Sequence, residues 1–285
     1  KAPQTVFGAA AYQLGGVIAM FMASFLGEGN VTALYLAERI LEFPLALVGI
    51  ALGTASISNF SYLIIRDQRC ELKRQMRQVI ALGLCFSLPA AFGVLALAWP
   101  IMESFFFHGN FEAGSLELTV RALVFYTPLI PAVVIGRPML AALNASGRAT
   151  QTMFISVISL AVLILGTILL LSFFSLEAIT ISSSLAGWVN TGLLALLLRR
   201  CRVCCAPGEQ PGGVFPWKSF AAYFCFSLGM FAGLIFMQMG MEQLGLGAIP
   251  RLAVGVPLGA AIYLGACRLA KSPELQIVLD AFRKK

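Results

Sequence analysis

The sequence predicts an all-α integral membrane protein with about eight transmembrane helices, and three observations lead there. Of 285 residues, 59% are apolar and only 12% charged, whereas a water-soluble domain carries about 45–50% and about 25% respectively. The mean hydropathy is +0.87. The apolar residues also fall into continuous runs long enough to cross a bilayer, which takes roughly 20 residues per helix. A transmembrane β-barrel would show short alternating strands instead.

Taken in order, the runs cover residues 4–26, 31–65, 78–107, 117–145, 151–174, 177–198, 218–241 and 250–270, each bounded by charge or turn residues. The second, third and fourth exceed what a bilayer needs and must tilt, kink or project. Pro44, Pro89, Pro128, Pro131 and Pro138 supply the kinks, since each removes a backbone donor inside a helix. Glycine pairs such as Gly15-Gly16 and Gly49…Gly53 suit close helix packing. The stretch Cys201–Pro216, with three Pro and three Gly, reads as a flexible linker. It divides the chain into a six-helix lobe (1–200), a linker (201–217), a final helix pair (218–270) and a tail (271–285). The tail is expected to form a short surface helix with Leu275, Ile277, Val278, Leu279 and Phe282 toward lipid.

Orientation follows from the cations. Sixteen of the 20 Lys and Arg fall on one side of the predicted membrane: Lys1, the cluster Arg66 to Arg77, Arg148, Arg199 to Lys218, and Arg268 to Lys285. Only Arg251 falls opposite, and Arg39, Arg121 and Arg137 lie within spans. Both termini of this multi-pass chain are therefore expected in the cytoplasm. The net charge of +7 is a topology signal, because the basic loops lack the interleaved aromatics of a nucleic-acid groove.

The chain carries no HExxH, GxSxG or Walker A motif, so neither an enzyme active site nor a cofactor is expected. Cys201-x-x-Cys204 has no second pair to close a zinc site, and cysteines near a reducing face do not suggest disulfides. His108 reads as an ordinary loop residue. The opening Lys1 is not a start methionine, and the chain reads as a segment of a longer protein.

The informative residues are the charges inside spans, each costing about 2.5–3.5 kcal/mol at a bilayer centre on the insertion scale. Glu38, Arg39 and Glu42 occur within Tyr35-Leu-Ala-Glu38-Arg39-Ile-Leu-Glu42-Phe-Pro44. Glu38 and Glu42 share a helix face, and Arg39 and Glu42 are spaced to pair. Arg39 lies about eight residues, or roughly 12 Å, into its helix. One reading is an internal ion pair that locks helices together. The other is a cationic contact for an anionic substrate, a task that suits the planar guanidinium fork. Arg137, about eight residues from the end of the fourth run, carries the same two readings. Arg121, four residues from Glu117, reads as an interface anchor.

The stretch Ala23-Ser-Phe-Leu, then Gly29-Asn-Val-Thr-Ala-Leu-Tyr35-Leu-Ala-Glu38-Arg39-Ile-Leu-Glu42-Phe-Pro44, then Gly49-Ile-Ala-Leu-Gly53-Thr resembles the lipid II flippase family (MurJ, also called MviN). The order that follows is also similar: a basic loop, Leu88-Pro89-Ala90, a Phe- and Gly-bearing turn at Phe107–Phe111, and Tyr126 leading without gaps to Arg137. The resemblance implies fourteen spans in two six-helix lobes plus a final pair, of which this chain would be spans seven to fourteen. It implies alternating access around a cationic cavity that carries an undecaprenyl-pyrophosphate-linked peptidoglycan precursor from inner to outer leaflet. Its partners would be that lipid-linked anionic substrate, membrane lipid and an N-terminal lobe, and no nucleic acid. Arg39 matches the family's essential arginine, Glu38 its neighbouring acid, and Arg137 a position where relatives carry lysine. A polar Gln-x-Asn of the family becomes Gln13-Leu-Gly15, which leaves Gln13 as a further substrate contact. A related polysaccharide-lipid flippase or multidrug exporter is the alternative; an intramembrane enzyme or a scaffold subunit is a more distant one.

Overall fold

The computed structural model describes residues 14–106, 113–201, 203–204, 214–270, 272, 274 and 276, with the backbone alone along 49–58. Every regular element among them is helical. They are α1 (Leu14–Leu26), α2 (Asn30–Ile65), α3 (Arg69–Phe106), α4 (Ala113–Tyr126), α5 (Leu129–Ala145), α6 (Ala149–Leu170), α7 (Leu176–Arg200), α8 (Trp217–Gln243) and α9 (Ala248–Leu269). Six spans among the described residues, counting α4 and α5 as one, are long and apolar enough to cross a membrane. With α2, 36 residues long, and the described part of α1, they reproduce the eight runs of the sequence. The chain is a multi-pass helical membrane protein.

Two helices depart from the expected limits. α3 starts at Arg69, not near residue 78, because the basic stretch from Arg69 to Arg77 consists of good helix formers and extends the helix beyond its apolar part. The fourth run breaks at Thr127-Pro128 into α4 and α5. The expected surface helix of the tail, most of the linker, His108 and Gln13 lie outside the described residues.

The turns are built from a small set of backbone devices. α2, α5 and α8 each end in a left-handed residue, respectively Asp67 (φ 53°), Gly147 (φ 79°) and Gly245 (φ 68°). In each, the next amide reaches back five residues: Gln68 to the Leu63 carbonyl, Arg148 to Leu143 and Leu246 to Met241. This is the Schellman arrangement, which satisfies carbonyls that a helix end leaves open. The α1–α2 turn uses Gly27 (φ 103°) and Gly29 (φ 83°), a backbone region costly for residues with a Cβ. Asn30 closes it by donating from Nδ2 to the carbonyls of Leu26 at 3.0 Å and Gly27 at 3.3 Å.

Burial sorts the helices. Half of the best apolar window of α3 and 61% of that of α4–α5 are buried, against 17% for α6 and 22% each for α8 and α9. α3, α4 and α5 are thus the centre, and α6, α8 and α9 present mostly apolar outer faces. The core has two clusters stacked along the helix axes. One joins Leu34, Leu41, Ala98, Met102, Leu123 and Ile179 toward the α1–α2 turn. The other joins Phe60, Met76, Ile80, Met139, Leu198 and Tyr263 at the end bearing the basic turns. A cleft of about 220 Å³ at that end is lined by Asp67, Arg69, Ser146, Arg148 and Cys201, so the basic turns after α2 and α5 meet the end of α7. α8 and α9 lean on α3: the Tyr263 hydroxyl donates to the Cys85 carbonyl at 2.7 Å.

Candidate functional site

α2 presents its polar side chains in two directions. Residues 34, 37, 41 and 45 face the core, so the 100° step per residue turns Tyr35, Arg39 and Glu42 outward as one stripe. The Arg39 guanidinium donates from Nη1 to Glu42 Oε2 at 2.8 Å, with both side chains more than half exposed (55% and 56%). It also lies 4.8 Å from the Tyr35 ring centroid. Glu38 turns toward α1 instead, and a Cβ on Gly16 would stand 3.3 Å from its Oε1. Glycine in α1 therefore makes room for the carboxylate.

Magnitudes decide what this stripe can face. An exposed ion pair contributes about 0.2–1 kcal/mol, and an exposed cation–π contact about 0.5–1 kcal/mol. Facing acyl chains would cost about 2.5–3.5 kcal/mol for each charge near the bilayer centre. Both side chains are more than half exposed, and for charges near a bilayer centre water or another polar surface is the less costly neighbour.

Arg137 reaches the same region from α5. It is exposed, and its Nη1 donates to the Leu45 carbonyl of α2 at 3.4 Å. Leu45 lies six residues from Arg39, about 9 Å along the helix. The structure thus sets Arg137 against α2 six residues past Arg39 and three past Glu42, with Glu38 at the α1 junction. Gln13 is outside the described residues.

Most of the other polar contacts were not read from the sequence. Arg121 pairs with Glu117 at 2.7 Å, as its spacing predicts, and also approaches the buried Glu177 of α7 at 3.6 Å. Buried Glu274, past α9, accepts hydrogen bonds from the hydroxyls of Tyr223 and Ser219 on α8. Ser184, Trp188 and Thr191 of α7 donate to backbone carbonyls around the α4–α5 break. Their spacing of four and three residues was a visible signal, but nothing local in the sequence named the carbonyls they meet. Among the described residues no group of three or more His, Cys, Asp or Glu could hold a metal.

The profile of the family described as "Lipid II flippase MurJ" matches residues 1–254. The chain belongs to this family. A probable lipid II flippase MurJ of Bdellovibrio bacteriovorus is 26% identical over 261 residues, which cover 91% of this chain and 49% of that protein. The lipid II flippase MurJ of Burkholderia cenocepacia is 26% identical over 271 residues, 93% of this chain and 51% of that one. The chain spans about half the length of these curated relatives. In fold it is similar to a solved lipid II flippase MurJ in an inward closed conformation, with a TM-score of 0.71, 20% identity, and coverage of 92% of this chain and 51% of that one. A eukaryotic MATE transporter, AtDTX14, is similar at a TM-score of 0.56 and 17% identity, covering 85% of this chain and 53% of its own. The family is one of transporters, and the match includes the α1–α2 turn and the polar stripe of α2.

Proposed function

We propose that this chain is the second half of a lipid II flippase and acts with a first six-helix lobe to carry an undecaprenyl-pyrophosphate-linked peptidoglycan precursor between leaflets. The observation that carries the reading is the outward stripe of Arg39 and Glu42, with Arg137 reaching the same helix at the Leu45 carbonyl. It lies deep in a span, is more than half exposed within this chain, and is too costly to set against lipid. A facing lobe would enclose it as a cavity wall. Arg39 and Arg137 then hold the pyrophosphate electrostatically, Glu42 orients Arg39, Glu38 fixes α1 against α2, and Gln13 adds a polar contact to the headgroup. The lobes rock around this cavity, and no covalent bond is made or broken.

Residues 1–200 form the lobe, 218–270 the helix pair and 201–217 the linker between them. α8 and α9 supply an apolar groove for the lipid tail, and the basic end faces the cytoplasm by the sorting of Lys and Arg. Membrane potential is a sufficient energy source for a charged headgroup, at about 2.3 kcal/mol per charge per 100 mV. The MATE likeness keeps a multidrug exporter as the second reading, but its TM-score of 0.56 is lower than the 0.71 of the flippase.

The test is complementation of cells depleted of their own lipid II flippase, with a first lobe supplied. The wild-type chain is expected to restore growth and Arg39→Ala to fail at equal membrane abundance. Growth with Arg39→Ala at the wild-type rate defeats the reading.

A further inference from the structure

The span that carries Arg137 is broken, and α7 holds the break. α4 stops at Tyr126 and α5 starts at Leu129, so the last carbonyls of α4 lack the donors a continuous helix would supply. Pro128 and Pro131 have no N–H to offer. Thr127 spends both its amide and its hydroxyl on the Leu123 carbonyl, at 3.0 and 2.8 Å.

α7 donates to carbonyls on both sides of the break, those of Phe125 and Tyr126 at the end of α4 and those of Pro128 and Ala132 at the start of α5. Ser184 Oγ donates to the Phe125 carbonyl at 2.8 Å and lies 3.5 Å from that of Tyr126. Trp188 Nε1 donates to the Pro128 carbonyl at 3.0 Å. Thr191 Oγ1 donates to the Ala132 carbonyl at 2.8 Å. Positions i, i+4 and i+7 make this a ladder on one face of α7. Ser184 and Thr191 are buried, where a hydrogen bond is strong and an unmet polar group costly. The last rung adjoins Arg137: a Cβ on Gly136 would stand 2.8 Å from Thr191 Oγ1, so glycine is what lets α5 come this close. The next residue, Arg137, leaves α5 toward the Leu45 carbonyl of α2.

We propose that the Ser184–Trp188–Thr191 ladder is a positioning device. By fixing the broken span it sets where the Arg137 guanidinium stands against α2, and so how tightly a pyrophosphate-bearing lipid is held. This rests on the reading of Arg137 as a headgroup contact. Thr191 is a positioning residue acting through Arg137, and its hydroxyl donor is the operative group.

The test is a double-mutant cycle read as affinity. The whole protein, with its first lobe, is placed in nanodiscs and titrated with undecaprenyl pyrophosphate. Thr191→Val keeps the side-chain shape and removes the donor; it is expected to weaken binding about three- to tenfold, the size of one positioning hydrogen bond. Thr191→Ser restores the donor and the affinity. In an Arg137→Ala background, Thr191→Val is expected to add nothing. Equal weakening in both backgrounds makes the ladder general helix packing and overturns the proposal, as does wild-type affinity in Thr191→Val. Should Thr191→Val not fold, Trp188→Phe takes its place in the cycle. An Arg137→Ala variant that binds normally defeats the headgroup reading and this inference with it. Normal binding by Thr191→Val, with weakened binding by Arg137→Ala, defeats only the inference.

Discussion

Arg39 has modest support from within its own chain: one exposed carboxylate and one aromatic face. Tyr35→Phe keeps the ring over which the guanidinium lies, so flipping is expected within about twofold of wild type. A Glu42→Cys variant tests the facing surface directly, because a thiol lining a water-filled cavity reacts with a membrane-impermeant maleimide and one set in acyl chains does not. Labelling is the expected result. Glu38, Arg39 and Glu42 were legible in the sequence, since charges amid an apolar run stand out. Their division was not, because spacing alone does not tell which helix lies beside which face. Gly16 of α1 decides it for Glu38, and Glu177 of α7, 56 positions away in sequence, does so for Arg121.

The helices were legible because apolar runs and their punctuation are local properties. Where limits shifted, a local rule met a competing one. At Arg69–Arg77 helix propensity continued past the apolar stretch, and at Thr127-Pro128 two missing N–H groups within four residues ended a helix that hydropathy alone would have carried through. The α6–α7 contact gives a stability prediction. A Cβ on Gly166 would stand 2.9 Å from Ser182 Oγ and 3.9 Å from Ser182 Cα, a backbone atom. Gly166→Val is therefore expected to destabilise the bundle by about 1–3 kcal/mol through overpacking, read as a lower thermal midpoint in detergent. Gly29→Ala acts on a turn instead. Its φ of 83° costs an L-residue about 1–2 kcal/mol, and a smaller fall in the same midpoint checks it.

At the scale of the molecule, α3 and the broken α4–α5 span form the centre, and α6, α8 and α9 present apolar outer faces. Against those faces, the exposed charges of the α2 stripe are poorly suited to lipid. How the spans assemble depends on contacts between residues far apart in sequence, such as Tyr263 with Cys85, and was legible only through the family resemblance. The proposed function gives this face the task of carrying an anionic lipid across the membrane. The fraction of lipid II exposed on the outer leaflet, in cells that depend on this protein joined to a first six-helix lobe, measures that task. Arg39→Ala is expected to hold lipid II inside, with the variant present at wild-type abundance, and Arg39→Lys to restore part of the exposure because the charge remains while the fork is lost. Wild-type exposure in Arg39→Ala would take that task away from this face.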